Sequence, residues 1–66
     1  MSVLLKVDET GRTELHIGGR FIQAFADIEA AECMCQFRYE LCPKCGLKLK
    51  DAEAAECEHC HNPLHS

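Results

Sequence analysis

Tryptophan is absent from this 66-residue chain, and only four side chains are aromatic, Phe21, Phe25, Phe37 and Tyr39. Large rings therefore contribute little to a core that is small in any case. No apolar run is long enough for a signal peptide or a membrane span, and the first segment, Ser2 to Gly19, is polar with mixed charge. The expected compartment is the cytoplasm, and no membrane partner is expected. No Ser-His-Asp set, paired-carboxylate motif or Gly-rich phosphate loop is recognisable, so the chain is expected not to be an enzyme. Basic residues are also in deficit, with seven Lys and Arg against eleven Asp and Glu and a formal charge of −4. Such a balance repels a phosphate backbone and argues against general nucleic-acid binding.

Cysteine, in contrast, is abundant. Four of the six cysteines form two Cys-x-x-Cys knuckles, Cys42-Pro43-Lys44-Cys45 and Cys57-Glu58-His59-Cys60, eleven residues apart. Two residues between cysteines let a tight turn aim both sulfurs at one ion while backbone N–H groups hydrogen-bond the thiolates. Two knuckles close a cage of Cys42, Cys45, Cys57 and Cys60, which leaves no coordination position for a substrate, so the metal is expected to build the fold. An even cysteine count in a short chain is also compatible with disulfides. In a reducing cytoplasm, however, paired Cys-x-x-Cys motifs favour zinc. A chain this short buries too little surface to be stable unaided, and the cysteines supply the help.

The rest of the chain reads as mostly β, a single domain of residues 1–66. Val3, Leu5 and Val7 alternate with Leu4, Lys6 and Asp8, and Asp8-Glu9-Thr10-Gly11 has turn composition. Thr13 to Ile17 places Leu15 and Ile17 on one face and ends at Gly18-Gly19, a hairpin loop. Arg20 to Phe25 then reads as a third strand, followed by a helical turn or short helix with Asp27 as N-cap. A helix from Arg20 to Glu32 competes, because Phe21, Phe25 and Ile28 recur at helical spacing in an alanine-rich segment. Residues 1–32 thus form a hairpin or meander with a helical turn, and residues 33–66 the metal-binding part. Gln36 to Leu41, with Phe37, Tyr39 and Leu41 alternating, is predicted to be a strand into the first knuckle, its rings covering the metal site. Leu47 and Leu49 alternate with Lys48 and Lys50 on the way out, apolar face inward.

Asp27-Ile28-Glu29-Ala30-Ala31-Glu32-Cys33 is echoed 24 residues later by Asp51-Ala52-Glu53-Ala54-Ala55-Glu56-Cys57, with six of seven positions identical. The second copy leads into a knuckle, and by analogy the first leads Cys33 and Cys35 into a shortened one. The positions 24 residues before Cys42 and Cys45 are Gly18 and Phe21, so the echo is either half of a duplicated ribbon that lost its ligands or a chance recurrence.

From Cys42-Pro43-Lys44-Cys45-Gly46 to Cys57-Glu58-His59-Cys60-His61-Asn62-Pro63-Leu64 the chain resembles the zinc-ribbon family. The resemblance covers residues 42–64 and implies a ribbon fold and one zinc ion. Zinc ribbons serve as adapters in transcription and translation machinery, as nucleic-acid contacts and as stabilising appendages on enzymes, so the resemblance leaves function open. Where the family usually has glycine after the last cysteine, this chain has His61, implying strain or a different turn.

The resulting expectation is a small non-enzymatic interaction module that binds a protein partner as an adapter or regulator. Two alternatives stand beside it. Arg38, Lys44, Lys48 and Lys50 cluster around the first knuckle, opposite Asp51, Glu53, Glu56 and Glu58, and would form the face of a nucleic-acid binder. Cys33 and Cys35, with His16, His59, His61 and His65, would supply a second site in a metal-handling protein, but the cysteines chelate only if extended, since on a helix they diverge by about 200°. They read otherwise as small apolar residues or free thiols, and His61 and His65 as solvated. A glutaredoxin-type reading of Cys42-Pro43-Lys44-Cys45 needs a βαβ scaffold that the 21 residues after Cys45 do not supply. Iron substitutes for zinc in an all-thiolate tetrahedral site, although the two knuckles of a rubredoxin-like protein lie much further apart.

Overall fold

The structure, a computed structural model, describes residues 2–65. Three strands, β1 (Val3–Val7), β2 (Thr13–Ile17) and β3 (Arg20–Phe25), form an antiparallel meander in the order β1-β2-β3. The pairing Val3↔Ile17, Leu5↔Leu15 and Val7↔Thr13 keeps the alternating apolar residues on one face. The first turn is organised by Asp8, whose Oδ1 accepts from the backbone N–H of Thr10 (2.9 Å), the Thr10 hydroxyl (2.7 Å) and the Arg12 N–H (3.0 Å). These bonds, the Thr10 hydroxyl foremost, hold its carboxyl below the ordinary value. The second turn is Gly18-Gly19, both at positive φ (60° and 81°), as a two-residue hairpin turn of the primed type requires.

A bulge lets β3 contribute to the core. Leu15 pairs with Gln23 and His16 with Phe21, so Ile22 is the extra residue. Strict alternation would put Ile22 and Phe25, three apart, on opposite faces. With the bulge both pack against the same core, which comprises Leu15, Ile17, Cys35 and Leu41 together with Val3, Leu5 and Met34.

Asp27 is the N-cap expected from the sequence, its Oδ1 accepting from Ala30 N–H at 2.8 Å, and it opens α1 (Ile28–Cys33) over the sheet. The third strand and the short helix therefore share the segment that either alone was a candidate to occupy. The predicted strand from Gln36 to Leu41 does not form. The chain instead continues as a π-helical turn, Met34–Arg38, so one helical run spans residues 28–38 and straddles the division drawn between residues 32 and 33. Phe37 and Tyr39, the reason for expecting a strand, remain 43% and 36% exposed. Burial follows helical i, i+4 spacing. Ala31 and Cys35 form one stripe and Glu32 and Gln36 a second, all four buried.

The first stripe meets the sheet. The second meets the cysteine-rich half: Gln36, fully buried, donates from Nε2 to the carbonyls of Ala52 (2.6 Å) and His65, and its Oε1 accepts from His65 N–H at 3.0 Å. Glu32 receives Lys44 Nζ at 3.0 Å and His65 Nε2 at 3.1 Å. Burial raises the Glu32 carboxyl, but the bonds from Lys44 and His65 together outweigh it and leave the group below its ordinary value. His65, expected to be solvated, is thus held at backbone and side chain.

Replacing Gln36 by Ala strands the buried groups it pairs, and an unmet buried donor or acceptor costs roughly 1–3 kcal/mol. Gln36→Ala is expected to lose about 2–4 kcal/mol in chemical denaturation. In hydrogen exchange the His65 amide should lose its protection outright, while the β2 amides should fall only by the global loss of stability. Equal protection of His65 in both proteins would show that Gln36 does not hold the tail.

Candidate metal centre

Two ten-residue segments, 40–49 and 55–64, build the site by the same backbone plan. Leu41 bridges Lys48, and fifteen residues later Glu56 bridges Pro63. In the first knuckle Cys42 N–H donates to Leu47 O (3.0 Å), Gly46 N–H to Cys42 O (2.8 Å) and Leu49 N–H to Glu40 O (2.8 Å). In the second, Cys57 N–H donates to Asn62 O (3.0 Å), His61 N–H to Cys57 O (3.0 Å) and Leu64 N–H to Ala55 O (2.9 Å). Leu49 and Leu64, the corresponding leucines, both pack against the cysteines.

Each knuckle aims N–H groups at its first sulfur. Lys44 and Cys45 N–H lie 3.4 and 3.5 Å from Cys42 Sγ, and His59 N–H lies 3.4 Å from Cys57 Sγ. The four Sγ atoms of Cys42, Cys45, Cys57 and Cys60 all fall within 4.8 Å of one another. Between knuckles, Cys42 and Cys60 are 3.6 Å apart and Cys45 and Cys57 are 3.7 Å apart. A disulfide needs about 2.05 Å. A tetrahedron of thiolates about 2.3 Å from its centre has edges of about 3.8 Å, so the donor set and its spacing fit a four-thiolate metal ion.

The thiols resist sharing negative charge. The Asn62 N–H draws Cys60 down to about 6, whereas burial, reinforced by the neighbouring thiols, pushes Cys45 up to about 12. Burial also raises Cys42. A bound cation relieves this by stabilising all four thiolates together.

The other candidate ligands lie elsewhere. Cys33 ends α1, and Cys35 is fully buried in the sheet-side core, its Sγ donating to Leu41 O at 3.4 Å. Burial first, then the nearby Cys42 and Glu32, pushes the Cys35 thiol up to about 11. Among the described residues the one group of three or more His, Cys, Asp or Glu able to hold a metal is Cys42, Cys45, Cys57 and Cys60, so Cys33 and Cys35 form no second centre. His16 Nε2 pairs with Glu14 Oε1 at 3.1 Å, and His59 Nε2 meets Lys48 O at 3.2 Å, linking the two knuckles. The aromatic cover expected over the metal is not there: the cysteines pack against Leu49 and Leu64, while Phe37 and Tyr39 face outward. Of the outgoing pair, Leu49 is buried and Leu47 is 45% exposed.

No protein-family model, curated protein or solved structure matches the chain.

His61 occupies the same left-handed conformation (φ 61°) that Gly46 occupies in the first knuckle (φ 78°). The turn is therefore conserved between knuckles and the strain is tolerated, at a cost of roughly 1–2 kcal/mol for a residue with a Cβ. Glycine removes that cost but loses more chain entropy on folding, so His61→Gly is expected to gain roughly 0.5–1 kcal/mol. The thermal midpoint at fixed metal concentration should rise by roughly 2–8 °C. A fall would show that the His61 side chain contributes a stabilising contact.

Proposed function

We propose that the chain is a non-enzymatic interaction module of the zinc-ribbon kind, held by one zinc ion and binding a protein partner. The observation that carries the metal half of this reading is the meeting of four sulfurs at tetrahedral spacing, 3.6 and 3.7 Å across the knuckles. Cys42, Cys45, Cys57 and Cys60 hold the ion, and Lys44, Cys45 and His59 N–H groups orient and stabilise the thiolates. Bound there, the ion supplies charge neutralisation and cross-linking, with every position taken by protein. Iron in the same cage would meet the same geometry.

The preference for a protein partner over nucleic acid rests on net charge and on Lys44. The chain carries a net charge of −4, and Lys44 is held at 3.0 Å by the largely buried Glu32. Lys48 and Lys50 make only exposed pairs, with Glu40 at 3.7 Å and Glu58 at 3.9 Å, and Arg38 makes none among the described residues. A phosphate backbone would meet a net negative chain and would have to displace Glu32 to use Lys44.

Elemental analysis of freshly purified, reduced protein should find one zinc or iron per chain, and Cys57→Ser should lower that value. Chelation should erase the dispersed NMR signals of residues 41–64 first. A metal-free protein with those signals intact would overturn the metal reading.

Affinity capture from the native cell, with nuclease treatment as a control, tests the partner. A protein retained after nuclease treatment supports an adapter. Co-purifying nucleic acid, with every protein lost after nuclease, would reject it.

A further inference from the structure

A cleft lies between the sheet and the first knuckle, away from the cysteines, with a volume of about 470 Å³. This falls within the roughly 300–1,000 Å³ of small-ligand pockets, enough for more than one side chain. Its floor is apolar, formed by Ile17 at the end of β2, Ile22 at the bulge of β3 and Leu41 on the bridge to Lys48, with the Tyr39 ring as one wall. Two cations, Arg20 and Lys48, also line it. Arg20 makes no ion pair among the described residues, and Lys48 meets Glu40 only at 3.7 Å between side chains 68% and 53% exposed. Pairs this exposed are weak, so Lys48 remains available to an incoming carboxylate.

We infer that this cleft receives an extended, acidic segment of the protein partner, with a bulky apolar side chain on the floor and a flanking carboxylate between Arg20 and Lys48. The inference rests on the adapter reading above and names the surface it uses. Charge complementarity selects the occupant: in a chain of net charge −4, the pocket pairs an apolar floor with two cations. Strand order selects its form. Among the described residues β3 pairs only with β2, so its outer edge carries no strand there, and Arg20 and Ile22 of the cleft belong to β3. A segment laid along that edge gains main-chain hydrogen bonds while alternate side chains turn toward the cleft. A free small carboxylate would leave the edge unused.

The test is selection of a random heptapeptide display library on the full-length, metal-loaded protein, followed by NMR shift mapping and anisotropy titration of the enriched peptides. The expected consensus is one large apolar residue beside Asp or Glu, with shifts at Ile17, Arg20, Ile22 and Leu41. Arg20→Gln and Lys48→Gln, both at exposed positions, should each weaken binding about three- to tenfold and flatten its salt dependence. Enriched peptides without acidic residues, or shifts confined to the opposite sheet face at Leu4, His16 and Phe21, would overturn the cleft while leaving an adapter intact. So would shifts induced by sodium decanoate with no peptide enriched, which would assign the cleft to a small anionic ligand. A mixed-sequence single-stranded oligonucleotide shifting Arg38, Lys44 and Lys48, with no peptide enriched, would overturn both the cleft and the adapter.

Discussion

Sulfur atoms brought within 4.8 Å of one another impose the constraint around which the second half of the chain is arranged. Four thiols so close cannot all ionise unaided, because each negative charge raises the cost of the next. Their approach also has to be organised by backbone, since the apolar area around them is limited to Leu49, Leu64 and the cysteines themselves. The solution is duplication. Residues 40–49 and 55–64 repeat one pattern of three backbone hydrogen bonds and one bridge, and face-to-face repetition of a knuckle brings the sulfurs to a common centre. Glycine at the left-handed position of the first copy and histidine in the second show that the hydrogen-bonded geometry, and not the residue's own preference, decides the turn.

The two halves join through one helical run with two buried stripes. Cys35 closes the sheet-side core by apolar contact beside the fully buried Ala31, whereas Glu32 and Gln36 reach the cysteine-rich half through hydrogen bonds and ion pairs. A polar joint of this kind is stabilising only when every member is satisfied, and no buried side-chain nitrogen or oxygen among the described residues lacks a partner. Leu41 and Cys42 complete the connection, adjacent residues entering opposite cores. Loss of order at the cysteines therefore reaches the sheet through Leu41 as well as through Gln36.

Local signals in the sequence were reliable where local forces decide. Alternation in Val3–Val7 and Thr13–Ile17, the Gly18-Gly19 turn, the Asp27 cap and the knuckle spacing all appear in the structure in the places their chemistry indicates. The failures have a common cause. Phe37, Tyr39 and Leu41 alternate as a strand would, yet Cys35 and Gln36 have buried partners, and a helical run keeps both inside at the expense of exposing the two rings. Gln36 and His65 lie 29 residues apart, and nothing in either residue's neighbourhood announces the other. The fifteen-residue repeat was hidden for a similar reason: beyond the cysteines and Leu49/Leu64 its copies share backbone hydrogen bonds, which leave little trace in side-chain identity.

The 24-residue echo makes the converse case. Asp27 to Cys33 and Asp51 to Cys57 agree at six of seven positions, and in each the aspartate Oδ1 accepts a nearby backbone N–H, Asp27 from Ala30 three residues on at 2.8 Å and Asp51 from Glu53 two residues on at 2.9 Å. They then part. The first copy continues as α1, which packs against the sheet and leaves Ala31 fully buried. The second stops after one turn, closed by Ala54 N–H on Asp51 O at 3.2 Å, because Leu64 N–H claims the Ala55 carbonyl and Cys57 is drawn into its knuckle. A helix of six or seven residues has too little intrinsic stability to resist such competition. Shared sequence at this length thus records an aspartate that bonds the backbone just after it and no shared fold, whereas segments 40–49 and 55–64, with few identical residues, are the structural repeat. The Cys33–Cys35 pair consequently has no knuckle to belong to: the element that carries it is helical, and helical geometry sends Cys35 into the sheet-side core, outside the group of four sulfurs.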